Sequence, residues 1–196
     1  MLSRSANGRQ MHVRVSRPFP SERARHSGCF IQSDFGLGNY EMLVCLSEAR
    51  LTHFCRDSGD QTFPWHVGHV YSFQPTSDDA AGSEVPMSEP IGVSLIRSSI
   101  QGDGRHGNFD AVVRLRPRPN FDGQGDHLSF CAFDTRTMQW TPVTPIIADG
   151  RPIEGITGTP ALVQSTFGTV GNYEMLVPAG SELRHYWRNN DDPNFA

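Results

Sequence analysis

The chain has 196 residues, a formal net charge of −4, 17 arginines and no lysine. That length allows one domain with a sizeable core, and the mild acidity gives no reason to expect a nucleic-acid partner. Glycine (19) and proline (14) are plentiful, and no stretch approaches the ~20 apolar residues of a membrane-spanning helix, so short strands joined by turns are expected rather than long helices.

Residues 1–28 are basic, with Arg4, Arg9, Arg14, Arg17, Arg23 and Arg25, and read as an arm ahead of the fold. The opening "MLSRSANGRQ" lacks the apolar run of a secretory signal, so a cytoplasmic location or export by a non-classical route is expected. Within the arm, "GRQMHVRV" echoes the later "EARLTHFCR", which allows a degenerate strand there.

From Cys29 the chain repeats itself. "GNYEMLV" at Gly38 to Val44 returns letter for letter at Gly171 to Val177, and a looser copy, "GNFDAVV", lies at Gly107 to Val113. The flanks align as well. The first copy reads "CFIQSDFGLGNYEMLVCLSEARLTHFCRD", the second "VSLIRSSIQGDGRHGNFDAVVRL" followed by "GDHLSFCAFD", and the third "ALVQSTFGTVGNYEMLVPAGSELRHYWRNN". An aromatic residue follows each: Trp65, Trp140 and Phe195. The units are 29–90, 91–158 and an incomplete 159–196, in one domain. Repeats with insertions confined to loops are the signature of stacked supersecondary units.

Within the heptapeptides the apolar period is two. Tyr40, Met42 and Val44 share one face against Leu43; Phe109, Ala111 and Val113 oppose Val112; Tyr173, Met175 and Val177 oppose Leu176. Apolar residues on both faces predict a strand covered on both sides, so each unit is expected to be a small sheet between two similar sheets. Predicted strands are 30–34, 39–46, 50–56 and one near Trp65; then 93–98, 108–115, 127–133 and one near Trp140; then 161–166, 172–177 and 182–188. In each Gly-Asn, glycine is expected to take a positive φ before the strand, and the asparagine to bond nearby backbone. The cysteines Cys29, Cys45, Cys55 and Cys131 show neither a CxxC pair nor ligand spacing, and read as small buried residues rather than a disulfide framework.

The fold class expected is all-β: a β-propeller-type array of four-stranded antiparallel blades, about three per chain. Closure needs more blades, so either two chains complete a six-bladed ring or the chain belongs to a longer array. The combined signature, an apolar run ending in Gln-Ser, then Phe-Gly, Gly-Asn-aromatic-acid and His-Tyr-Trp-Arg-Asn, resembles the blades of Photorhabdus-type bacterial β-propeller lectins. The third copy matches best. The second departs furthest, with "SFCAFD" and neither His nor Arg, and the known lectins have seven blades of shorter period. The resemblance implies a lectin that holds fucose or O-methylated sugars in pockets between neighbouring blades.

Sugar recognition needs an aromatic face for the C–H side of the ring and planar polar groups for its hydroxyls. "HYWRNN" supplies His185, Tyr186, Trp187, Arg188, Asn189 and Asn190; "HFCRD" supplies His53, Arg56 and Asp57 beside Phe54; Trp65 and Trp140 are further stacking candidates. The competing assignment makes Tyr186, Phe54, Tyr40, Phe109 and Tyr173 core residues, and Asn189 and Asn190 turn-makers. Glu41, Asp110 and Glu174 recur at one place in every unit, which fits a structural role better than a catalytic acid, because an active site normally occurs once. No nucleophile motif, P-loop or dinucleotide fingerprint is present, and His66 and His69 lack an evident third ligand. The sequence therefore predicts a non-enzymatic protein without a cofactor, whose partners are glycans and a second copy of itself. A propeller that binds proteins and has lost its sugar contacts is the alternative.

Overall fold

The computed structural model describes residues 24–46, 49–60, 62, 64–73, 88–100, 107–117 and 125–192. The strand-like echo in "GRQMHVRV" and the aromatic Phe195 lie outside them.

Each heptapeptide forms the second strand of an antiparallel sheet. The first sheet runs in order β1 (Ala24–Gln32), β2 (Tyr40–Leu46), β3 (Arg50–Arg56) and β4 (Trp65–Ser72). The second contains β5 (Ser88–Ser98), β6 (Asn108–Pro117), β7 (His127–Asp134) and β8 (Gln139–Trp140), with β9 (Thr144–Pro145) also on β7. After the short ribbon of β10 (Ile147–Ala148) and β11 (Arg151–Pro152), the third sheet comprises β12 (Ala161–Gln164), β13 (Tyr173–Ala179) and β14 (Glu182–Arg188). Among the described residues there is no helix, and no sheet closes on itself. β1 begins inside the segment read as the arm, and β5 before the expected boundary of the second unit. The pairs β9 to β11, in the proline-rich link after Trp140, were not expected.

The Gly-Asn dipeptides explain why the strands start where they do. Asn39 Oδ1 accepts the Ser58 N–H at 3.0 Å, Asn108 Oδ1 the Thr135 N–H at 3.0 Å, and Asn172 Oδ1 the Asn190 N–H at 3.3 Å. In every unit the asparagine thus ties the start of the second strand to the turn that ends the third. Gly38 and Gly171 take φ of 90° and 86°, where a side chain is strained. Gly107 departs from the expectation: its φ is not left-handed, and a Cβ there would stand 2.3 Å from the Ser98 carbonyl oxygen, so close approach is what requires glycine. The Gln-Ser residues close the same hairpin, Gln32 donating to the Gly38 carbonyl at 3.1 Å and Gln164 to that of Val170 at 2.8 Å.

The three sheets stack face to face. Leu43, Cys45 and Leu51 of the first meet Val93, Leu95, Phe109, Ala111 and Val113 of the second. On the other side of β6, Val112 joins Leu128 against Leu162, Tyr173, Met175 and Val177 of the third. Side chains removed from water as fully as Leu43, Val113 and Val177 contribute about 1.5–3 kcal/mol each. The middle sheet is covered on both faces. The expectation that every unit is sandwiched fails for the third sheet, where Leu176 is 40% exposed on the outer face; the outer face of the first sheet is mixed, Phe30 being 54% exposed while Val44, Leu46 and Phe54 are buried.

The stack has a direction. In each sheet the aromatic face of the heptapeptide looks toward the preceding sheet and the acid face toward the following one: Phe109 packs on the first sheet, and Tyr173 reaches Asp110 of the second. The sheets approach most closely at their first strands, β1 against β5 and β5 against β12, and their backbones draw apart toward the outer strands. Cys45 and Cys131 are free and buried, and burial pushes both thiols up to about 12, so they pack as small neutral groups. Cys29 and Cys55 are only half-buried.

Candidate functional site

Because the first two sheets diverge outward, a cleft opens between their outer strands. It is partly open to solvent, has a volume of about 550 Å3, and is lined by His53, Gly68, His69, Phe133, Met138, Gln139 and Trp140. His53 on β3 and Gly68 and His69 on β4 come from one unit; Phe133, the turn residue Met138, and Gln139 and Trp140 on β8 come from the next. The rings form one cluster. His53 lies 6.2 Å from Phe133 and 5.3 Å from Trp140, Phe133 lies 5.5 Å from Trp140, and Tyr71 lies 6.0 Å from Trp140 while donating to the Thr141 carbonyl at 2.8 Å.

His53 is fixed from behind. Its Nε2 is 2.9 Å from Glu41 Oε2, and Ser33 donates its hydroxyl to Glu41 Oε1 at 2.9 Å, all three residues being buried. Nδ1 is turned toward Gly68, where a Cβ would stand 2.5 Å away, so glycine lets the imidazole lie against β4. The order of contacts is not that of a hydrolytic triad, in which the imidazole stands between hydroxyl and acid. Here the carboxylate stands between, and the serine donates to it. Burial, then the neighbouring His53, holds the His69 imidazole below its ordinary range, so at neutral pH it offers one donor and one acceptor. Among the described residues the lining carries no carboxylate or guanidinium. It suits a neutral ligand with one apolar side and several hydroxyls.

The seam between second and third sheets is built differently. Phe130 holds the register position of His53, and the buried acid is met across the seam: Tyr173 donates its hydroxyl to Asp110 and lies 3.1 Å from Ser98 Oγ. Burial raises the Asp110 carboxyl above the usual range despite those two hydroxyls and the charge of Arg188.

The chain matches no family model, no curated protein and no solved structure.

Of the predicted site residues, the cleft gathers His53 and Trp140. Trp65 holds the same register position as Trp140, opposite Arg56 as Trp140 is opposite Phe133, but on the outer face of the first sheet, 6.3 Å from Phe30. "HYWRNN" is divided by strand alternation. His185 and Trp187 point outward from the third sheet, with Trp187 55% exposed, whereas Tyr186 packs toward the second sheet and Arg188 acts on Asp110. Asp57 and Asn189 accept the backbone N–H two residues on, at 2.8 and 3.1 Å, and Asn190 donates to the Gly171 carbonyl at 2.6 Å, so these three shape turns. Phe54, Phe109 and Tyr173 are core, and Tyr40 and Tyr186 are half-buried. Among the described residues no three His, Cys, Asp or Glu side chains gather as metal ligands. Sequence reasoning missed His69, Phe133, Met138 and Gln139; what could have found them is the pairing of one unit's fourth strand with the next unit's.

Proposed function

We propose that the protein is a non-enzymatic, carbohydrate-binding lectin of β-propeller type, with the cleft between its first two sheets as a sugar site. Three antiparallel sheets fanned from their first strands support reading each as a blade, and the resemblance to Photorhabdus-type lectins puts sugars between such blades. The observation that carries the reading is the lining of that cleft. The faces of Trp140 and Phe133 suit the C–H side of a pyranose, and His69 and Gln139 suit its hydroxyls. The apolar Met138 and Phe133 favour a sugar bearing a methyl group, as fucose and O-methylated sugars do. A single open site of this size binds weakly, so several sites would act through avidity.

Binding to a glycan array should appear at protein concentrations that allow multivalent attachment, and free fucose or a methylated monosaccharide should compete it away. No binding to any glycan would leave the protein-binding scaffold as the better reading.

A further inference from the structure

The outer face of the first sheet carries an apolar cluster that the sheet cannot bury by itself. Val44 and Leu46 on β2 and Thr52 and Phe54 on β3 are only 3–4% exposed, and Met42 and Trp65 pack against the cluster. The second sheet lies on the opposite face, against Leu43, Cys45 and Leu51. The cross-strand neighbours of Val44 are Gly28, which has no side chain, and Thr52, which is small. The third sheet shows how exposed a bare face is. There Leu176 sits on the central strand between Ala161 and His185 and is still 40% exposed. Val44 at 4% therefore has a second layer over it. Among the described residues, the apolar side chains of the cluster all come from the first sheet itself.

That layer is narrow. On either side of the cluster the same face is open. Phe30 on β1, opposite Met42, is 54% exposed, and Val67 and Val70 on β4, opposite Phe54 and Thr52, are 57% and 41% exposed. What is covered is a strip over β2 and β3, beginning at the end where Ala24 pairs with Leu46. One extended segment of chain fits such a strip; a further sheet does not.

We propose that the segment is the chain's own N-terminal arm, residues 1–23, folded back from Ala24 with Phe19 seated on Val44, Leu46 and Phe54. The arm joins the first sheet at Ala24, directly opposite buried Leu46. Phe54 lies two strands across and four residues along from there, roughly 16 Å, and the five residues from Phe19 to Ala24 span about 17 Å when extended. Arg17 and Phe19 each precede a proline, which biases both to extended backbone. Further out, Met11, Val13 and Val15 alternate with His12 and Arg14, the pattern of a strand with one apolar side. The competing segment is 74–87, which leaves the sheet after β4. It contains no aromatic residue, and Val67 and Val70 on its side of the face are the open ones. The arm also carries Arg4, Arg9, Arg14, Arg17 and Arg23 against the single acid Glu22, so it turns a charged surface to water, as the end of a stack of repeats requires. Docked in this way it caps the first sheet and leaves the third as the open end.

Limited trypsin digestion of the full chain, with fragments identified by mass, tests this without a variant. Arg14 and Arg23 flank Phe19 and should be cut at least about tenfold more slowly than Arg4, because cleavage there waits for the arm to lift. Phe19→Asp should abolish the protection and lower the urea midpoint, whereas Val85→Asp in the competing segment should do neither. Equal cutting of the wild type at Arg4, Arg14 and Arg23 would overturn the proposal. So would a Phe19→Asp variant as protected as the wild type, or a larger effect from Val85→Asp, which would give the face to residues 74–87.

Discussion

Replacing His53 with phenylalanine should cost the fold about 3 kcal/mol, because it strips the buried Glu41 carboxylate of its imidazole partner and leaves it the Ser33 hydroxyl at 2.9 Å. The chain itself indicates the remedy. In the second seam Phe130 already stands at that register, and the acid is met instead by the Tyr173 hydroxyl from the following sheet. Phe109 occupies the register of Tyr173 and faces the first sheet. Adding Phe109→Tyr to the His53→Phe variant should therefore return about 1.5 kcal/mol or more, the contribution of a hydrogen bond to a charged group. Phe109→Tyr alone should destabilise slightly, since it adds an oxygen to a packed core while Glu41 still has its imidazole. Urea unfolding of the four proteins closes the cycle. Additive losses would mean that the two seams are not interchangeable solutions to one problem, and that the repeat alignment does not carry over to the interfaces.

The second large effect concerns Trp140. If its ring is the platform for a sugar, Trp140→Ala should weaken glycan binding at least about tenfold, which corresponds to ~1.4 kcal/mol of stacking and apolar contact. Alanine also removes packing from His53, Tyr71 and Phe133, so folding must be followed by dichroism alongside binding. Trp140→Phe separates the two effects. It keeps an aromatic face and removes an indole N–H that is buried without a partner, so stability should hold and binding should fall only a few-fold. Trp187→Ala is the contrast. That ring is 55% exposed on the outer face of the third sheet, so its loss should leave the fold intact. Equal binding by Trp140→Ala and wild type would remove the cleft from the account.

Much of the fold was legible because the repeat spells out its own structure. The period-two pattern of Tyr40, Met42 and Val44 and its two counterparts placed the second strand of every sheet, and Gly-Asn marked its start through a staple that the structure contains three times. What the heptapeptides could not reveal was their position in the stack. The same letters are core in one sheet and surface in another: Leu43 is fully buried, whereas Leu176, identical in sequence context, is 40% exposed. Burial there is decided by the neighbouring sheet, which local pattern does not contain. The site was half legible for the same reason. His53 and Trp140 stood out as residue types suited to sugars, but they belong to different units, and only the stacking of the first two sheets brings them within 5.3 Å. "HYWRNN" looked like a complete site when read as a string, yet consecutive residues of a strand face opposite ways. Its members are accordingly shared between an outer face, a seam and a turn.

The most direct test of the central claim follows the three indole N–H signals of the protein in a proton–nitrogen correlation spectrum while fucose, and then an O-methylated sugar, is titrated in. The account predicts that the Trp140 signal, assigned from the Trp140→Phe variant, shifts progressively and reaches a plateau with one of these sugars. A Trp140 signal that stays in place at saturating sugar would contradict it.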